Sequence, residues 1–465
     1  MKKIYNVAFI CVIALAVTGY AILMFNDAVW YDEAYTMAMV KHTVPQICSI
    51  TAQDVHPPLY YILLKLFITP FGYSLTAAKV FAALPIILTA LLGYVKLSKH
   101  INKKTGLMFS IMYLFLPVIT TFSVEVRMYT LAAFFVTACA LYAYEAHISG
   151  KSEYYVLFLI FGVLAAYTHY FALVSAGIIY IILFIEGIKR HELKKIIISS
   201  VVTVVLYLPW LAQFIMQLAD KVENEYWIDE ITLNTVLNYF TVWFKCGNIT
   251  PLYLIITGIF AFISLISLIT NPNKAFKKYA FYGALIFIGT NIIGIAASLL
   301  VRPVFIERYA VPALPMLLMA IAIGIGIMRT QTAFIIASVF YLSGFGVNYP
   351  YAVNTEYSAS ELELREYLDD AKYEALICYV DAHLYGVLSH YAPDTTVYRP
   401  KLSKGSPFDN IKALSEFDTE NCHWAALFVP QGDNVPTEIT EQFNADYVRT
   451  VSTYGIMCDM YNLWK

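Results

Sequence analysis

The chain has 465 residues, 59% of them hydrophobic and only 14% charged, with a mean hydropathy of +0.63. A soluble globular protein carries about 25% charged residues, so the composition excludes a wholly soluble protein and predicts a polytopic membrane protein, its membrane part all-α. The net charge of -2 and the lack of a basic tail leave no case for nucleic acid. Seven cysteines without CxxC spacing give no zinc or redox motif.

The start, Met1-Lys2-Lys3-Ile4, has the flavour of a signal peptide. Residues 5–25 are nevertheless long enough to span, and no small-residue cleavage pattern follows, which predicts an uncleaved first helix. Further apolar runs fall near residues 75–97, 106–122, 129–147, 155–168, 171–188, 196–214, 251–270, 280–300, 310–328 and 332–347. Residues 57–71 are apolar but short, whereas a span needs about 20 residues. They are expected to form a juxtamembrane helix opened by Pro57 and Pro58. About eleven transmembrane helices result. Lysines cluster at 96–104, 189–195 and 274–278, and basic short loops stay in the cytoplasm. With Lys2 and Lys3 also inside, the patches fall on alternate loops only if 57–71 does not cross. The expected topology is a cytoplasmic N-terminus and an outside C-terminus.

Every unusual polar cluster then lands on the outer side. Asp32-Glu33 and Asp54-Val55-His56 lie in the first outer loop, Glu125-Val126-Arg127-Met128-Tyr129 in the second, and Thr168-His169-Tyr170 in the third. Residues 215–250 are expected to form a longer fourth loop with Glu223, Glu225, Tyr226, Trp227, Asp229 and Glu230. Arg302-Pro303 and Glu307-Arg308-Tyr309 lie in the fifth. Two domains are expected: residues 1–347 in the membrane and 348–465 as a small extracytoplasmic α/β domain. In the second, 359–371 reads as a helix, 375–380 and 424–429 as buried strands, and 437–443 as a short helix. Cys378, Cys422 and Cys458 either pair in part as a disulfide or remain buried thiols.

Acids at a membrane rim need a reason, because burying one in lipid costs ~2.5–3.5 kcal/mol. The reason favoured here is catalysis at the outer surface. A glycosyl transfer needs a base for the acceptor hydroxyl and cations or N–H donors for the leaving phosphate. Asp32 or Glu33 can supply the first; Lys79, His56, Arg127 and Arg308 can supply the second. Neighbours on a helix point about 100° apart, so Asp32 and Glu33 take different roles. The competing readings are structural. Glu33 can tether a cation at the rim, Arg127 can snorkel, Arg308 can pair with Glu307, and Glu125 with Tyr129 can brace one helical turn. His169 among aromatics can be a core histidine. A divalent ion on Asp32, His56 and His169 has no local spacing behind it, and no cofactor is expected.

Taken together, the motifs resemble those of family 39 glycosyltransferases. Trp30-Tyr31-Asp32-Glu33-Ala34-Tyr35-Thr36 is similar to their acidic first-loop motif, and Asp54-Val55-His56-Pro57-Pro58-Leu59 to their His-Pro-Pro-Leu element. Glu125-Val126-Arg127-Met128-Tyr129 and Glu307-Arg308-Tyr309 are similar to later-loop patterns of bacterial members. The resemblance spans roughly residues 20–330. It implies a GT-C fold, a polyprenyl-phosphate-linked sugar as donor, and inverting transfer outside a prokaryotic plasma membrane onto a glycan, lipid or protein acceptor. It further implies Asp32 as base, Glu33 beside the acceptor, and outer-loop arginines on the donor phosphate. Lys79 stands where many bacterial relatives carry arginine. A transporter or lipid flippase is the alternative, but it would place ionisable residues near mid-bilayer. Here they gather at one face.

Overall fold

The computed structural model describes every residue except 1, 191–192, 224–227, 381–382 and 403–404. The chain folds as two units. The first comprises residues 1–24, 55–60 and 79–352; the second joins 25–54 and 61–78 to 353–465.

The first unit is helical. Among the described residues, nine helices are long and apolar enough to cross a membrane. They account for nine of the eleven expected runs. Of the other two, 106–122 is split at Pro117 into Lys103–Leu114 and Pro117–Phe122, and the other is the 17-residue helix Ser152–Thr168. Proline lacks the N–H that would continue the ladder, and it suits a first helical turn. Residues 57–71 form Leu59–Ile68 and a one-turn 3-10 extension, Thr69–Phe71, ended by Gly72 at φ 64°.

Caps set several helix starts. The Asn102 side chain accepts from Thr105 N–H, and that of Asn273 accepts from Ala275 and Phe276 N–H. Glycines let helices approach closely: a Cβ on Gly294 would sit 2.4 Å from the Phe171 ring and 2.9 Å from the Phe305 ring.

Two expectations are corrected. Residues 215–250 are not one long loop, because helix Leu193–Glu223 runs on and Leu233–Trp243 forms another, its Thr232 side chain accepting from Thr235 N–H. Of the acids placed there, Asp229 and Glu230 stay between helices, whereas Glu225, with Tyr226 and Trp227, lies outside the described residues. Glu125 and Tyr129 do not share a helical turn. The helix begins at Tyr129, and Glu125 sits in the bend before it, where its carbonyl accepts from Arg127 N–H at 2.7 Å.

The second unit carries a six-stranded sheet: β1 Ala375–Cys378, β2 Thr396–Arg399, β3 Ile411–Ala413, β4 Trp424–Pro430, β5 Asn444–Thr453 and β6 Ile456–Trp464. The order is β3-β2-β1-β4-β6-β5, parallel from β3 to β4, with β6 antiparallel to β4 and hairpinned to β5. β1 is buried on both faces, as an unbroken apolar run at the centre of a parallel sheet must be. Helix Ala359–Ala371 and the segment Thr437–Thr440 fall where the sequence places them. Cys378, Cys422 and Cys458 are free and buried, so of the two open readings the thiols hold.

Candidate active site

Four segments of the first unit build a polar cluster. The first follows helix Val44–Gln53, whose C-cap Asp54 is extended. Pro57 and Pro58 then keep His56 out of the helix that starts at Leu59. In the second, the bend before Tyr129 presents Arg127, which is buried at 4% exposure. In the third, His169 separates helices Ser152–Thr168 and Tyr170–Arg190 with extended backbone, φ -159° and ψ 140°. Its Nδ1 accepts from Phe171 N–H at 3.1 Å, which puts the ring proton on Nε2. The fourth is the 3-10 turn Glu307–Ala313, which supplies Arg308 and buried Tyr309.

The rings converge. His56 lies 5.3 Å from His169 and 5.8 Å from Tyr309 by ring centroids; His169 lies 5.0 Å from Tyr309 and 5.7 Å from Tyr129. Burial holds His56 well below the usual imidazole range, and Arg127, His169 and Arg308 depress it further. Burial, then the same two arginines, hold His169 down at about 3. Both imidazoles are therefore neutral at pH 7, and the charge of the cluster resides on its guanidinium groups.

A cavity of about 190 Å³ runs from this cluster between helices Tyr170–Arg190, Leu193–Glu223 and Lys274–Leu300. Its walls include Phe171, Val174, Phe214 and Ile293; its polar end is formed by His56, His169, Arg302 and Tyr309. His169 Nε2 is buried without an acceptor among the described residues. A guanidinium, that of Arg302, and the His169 N–H donor on the wall of an apolar cavity suit an anion that carries an apolar tail.

The nominated residues divide as follows. His56, Arg127, Tyr129, His169, Arg308 and Tyr309 come together. Lys79 is fully buried in the first turns of helix Leu75–His100, and Glu125 is half-buried in its bend. Asp32 and Glu33 belong to the second unit, in the first turn of helix Tyr31–Met39. Glu33 is buried and its carboxylate accepts from Trp30 N–H at 3.3 Å, closing the start of the helix, while Asp32 is half-buried. Among the described residues no group of three His, Cys, Asp or Glu has metal-holding geometry.

Sequence reasoning missed several neighbours. Arg302, gathered with the outer clusters but given no role, lines the cavity. So does Gln217, which accepts from Tyr170 O–H, but it falls in the stretch mistaken for loop. In the second unit, Tyr31 stacks on His383 at 4.4 Å and its hydroxyl meets that of Tyr385 at 3.1 Å, with the Arg399 guanidinium 3.8 Å over the Tyr385 ring. Such pairings across about 350 residues leave no local signal.

A family model described as dolichyl-phosphate-mannose-protein mannosyltransferase matches residues 55–212, which contain His56, Lys79, Glu125, Arg127, Tyr129 and His169. The fold is similar to that of ArnT from Cupriavidus metallidurans in the apo state, with a TM-score of 0.67 at 10% identity over 97% of both chains. ArnT bound to undecaprenyl phosphate gives a TM-score of 0.63 at 10% identity over the same shares. Curated protein sequences give no match. The family model and the fold together indicate a polytopic membrane glycosyltransferase of the GT-C type.

Proposed function

We propose that the chain moves a sugar from a polyprenyl-phosphate-linked donor to an acceptor hydroxyl at the outer face of a bacterial plasma membrane. The observation that carries this reading is an apolar cavity lined at one side by His56, His169 and Arg302, with Arg127 and Arg308 close enough to both histidines to depress their titration. The similar ArnT has been seen with undecaprenyl phosphate, a ligand of that shape and charge. In this reading Arg127 and Arg308 take the phosphate, His169 adds a neutral N–H donor, and the apolar walls take the prenyl tail. Asp32 is the base that accepts the proton of the acceptor hydroxyl, and attack opposite the phosphate inverts the anomeric carbon. The acceptor is a glycan, lipid or protein hydroxyl, and no cofactor takes part.

The test is transfer by the purified full-length chain from a panel of radiolabelled undecaprenyl-phosphate sugars to envelope extracts. Mass spectrometry of polyprenyl-phosphate sugars and envelope glycans, in a deletion strain and its parent, then identifies the pair. One sugar should accumulate on the lipid and disappear from the envelope in the deletion strain. Unchanged pools, with transport of a small solute by the reconstituted chain, would favour the transporter instead.

A further inference from the structure

Two of the helices that frame the first cavity, Tyr170–Arg190 and Lys274–Leu300, enclose a second, lower one at their other ends together with Tyr129–Ser149. It holds about 150 Å³ and is walled by apolar side chains of Tyr129–Ser149, Tyr170–Arg190 and Lys274–Leu300. Nothing in the proposed transfer uses it.

Its rim is a built polar group. Glu186 is buried at 3% exposure and takes Lys189 at 3.0 Å, the Tyr282 hydroxyl at 2.5 Å, His147 at 3.5 Å and Lys278. One carboxylate thus faces two lysines, and both lysines keep much of their surface open, 62% for Lys189 and 41% for Lys278. Deeper in, Tyr279 stacks on Tyr144 at 4.1 Å. Its hydroxyl is buried with no hydrogen-bond partner among the described residues, although the ring is only 5% exposed and lines the cavity. A buried hydroxyl without a partner is destabilising, and a ligand that reaches it would relieve that cost.

We infer that this lower cavity is a binding site for an anionic glycerophospholipid. One acyl chain fills the apolar space, an ester oxygen accepts from Tyr279, and the phosphate rests on Lys278 and Lys189. The excess of cation over anion at the rim selects against a zwitterionic headgroup. Basic pockets between transmembrane helices bind anionic headgroups in this manner. The site is separate from the donor cavity, which lies at the opposite ends of the two helices they share, Tyr170–Arg190 and Lys274–Leu300.

The experiment is native mass spectrometry of the full-length chain, delipidated and then offered phosphatidylglycerol, phosphatidylcholine or undecaprenyl phosphate at equal concentration. One phosphatidylglycerol should be retained in preference to phosphatidylcholine. Lys278→Gln should cut that preference about five-fold, from roughly 1 kcal/mol per lysine near a headgroup. Tyr279→Phe, which keeps the ring stack, should weaken retention of both phospholipids about three- to ten-fold. Ala143→Phe, which fills the cavity, should abolish retention. If Ala143→Phe fails to fold, the other two variants still decide. Equal retention of the two phospholipids by the unaltered chain overturns the proposal. So does preferential retention of undecaprenyl phosphate, or unchanged binding in both Lys278→Gln and Tyr279→Phe at unaltered thermal stability.

Discussion

At the scale of single residues, the two adjacent acids separate cleanly. Glu33 is buried and ties back to Trp30 N–H, whereas Asp32 is half-exposed one position earlier. Asp32→Asn should therefore leave thermal stability unchanged and lower transfer by about 100-fold or more, the usual contribution of a general base. Near-normal turnover of purified Asp32→Asn would remove Asp32 from that role. Glu33→Ala should instead melt earlier, by about 1 kcal/mol for a lost cap. The arginines make a second case. Guanidinium grips a phosphate with two parallel donors and lysine offers a point charge. Arg308→Lys should keep the fold and lose part of the donor affinity, and Arg308→Ala should lose roughly 10- to 100-fold. If Arg308 merely paired with Glu307, Glu307→Gln would be as damaging as Arg308→Ala and would act through stability. Donor-lipid binding and melting of the three variants distinguish these. The imidazoles were legible as candidates because of Asp-x-His-Pro-Pro and Thr-His-Tyr. Their neutrality was not, since it follows from burial beside two guanidinium groups.

At the scale of elements, one contact couples a helix to a hairpin in the second unit. Glu361, near the start of Ala359–Ala371, is buried and accepts from the Thr453 hydroxyl at 2.8 Å and from Tyr454 N–H at 2.9 Å. The turn that joins β5 to β6 needs these bonds, for Tyr454 and Gly455 both have positive φ, 43° and 85°. Burial raises the Glu361 carboxyl from 4.5 to about 7, more than its two hydrogen bonds lower it. A raised acid binds its proton more tightly when folded. The folded state thus holds the extra proton between about 4.5 and 7, and stability falls as pH rises through that window, by on the order of 3 kcal/mol. Above about 7 the loss is complete. Glu361→Gln should flatten this part of the melting profile of the full-length chain while preserving the fold. A slope identical to that of the unaltered protein would assign the pH dependence elsewhere. The helix and both central strands were readable from periodicity and unbroken apolar runs. The hairpin strands were not, because β5 is mostly half-exposed and mixes polar with apolar residues.

At the scale of the molecule, apolar runs were legible because a lipid solvent demands about 20 residues per helix. The grouping of 25–54 and 61–78 with 353–465 was not, since contacts between distant segments leave no mark on local pattern. The lysine patches show where the sequence reached further. Glu145 takes Lys96 at 2.9 Å, Lys99 at 3.0 Å and His100 at 2.9 Å. Two residues along the same helix, His147 meets Glu186, which holds Lys189 and Lys278. All three patches therefore gather at one end of the first unit, while Tyr129, at the other end of that helix, belongs to the His56–His169–Tyr309 cluster. Only an even number of crossings between successive patches allows this, and residues 59–71, before the first patch, are too short to add a crossing between it and the N-terminus. The basic end should face the cytoplasm. Reporter fusions at residues 100 and 275 should accordingly read cytoplasmic, and fusions at 230 and 400 exterior. An exterior signal at 100 alone would contradict the gathering of the three patches at one end. Exterior signals at both 100 and 275 would invert the molecule, place the donor cavity in the cytoplasm, and exclude transfer at the outer face.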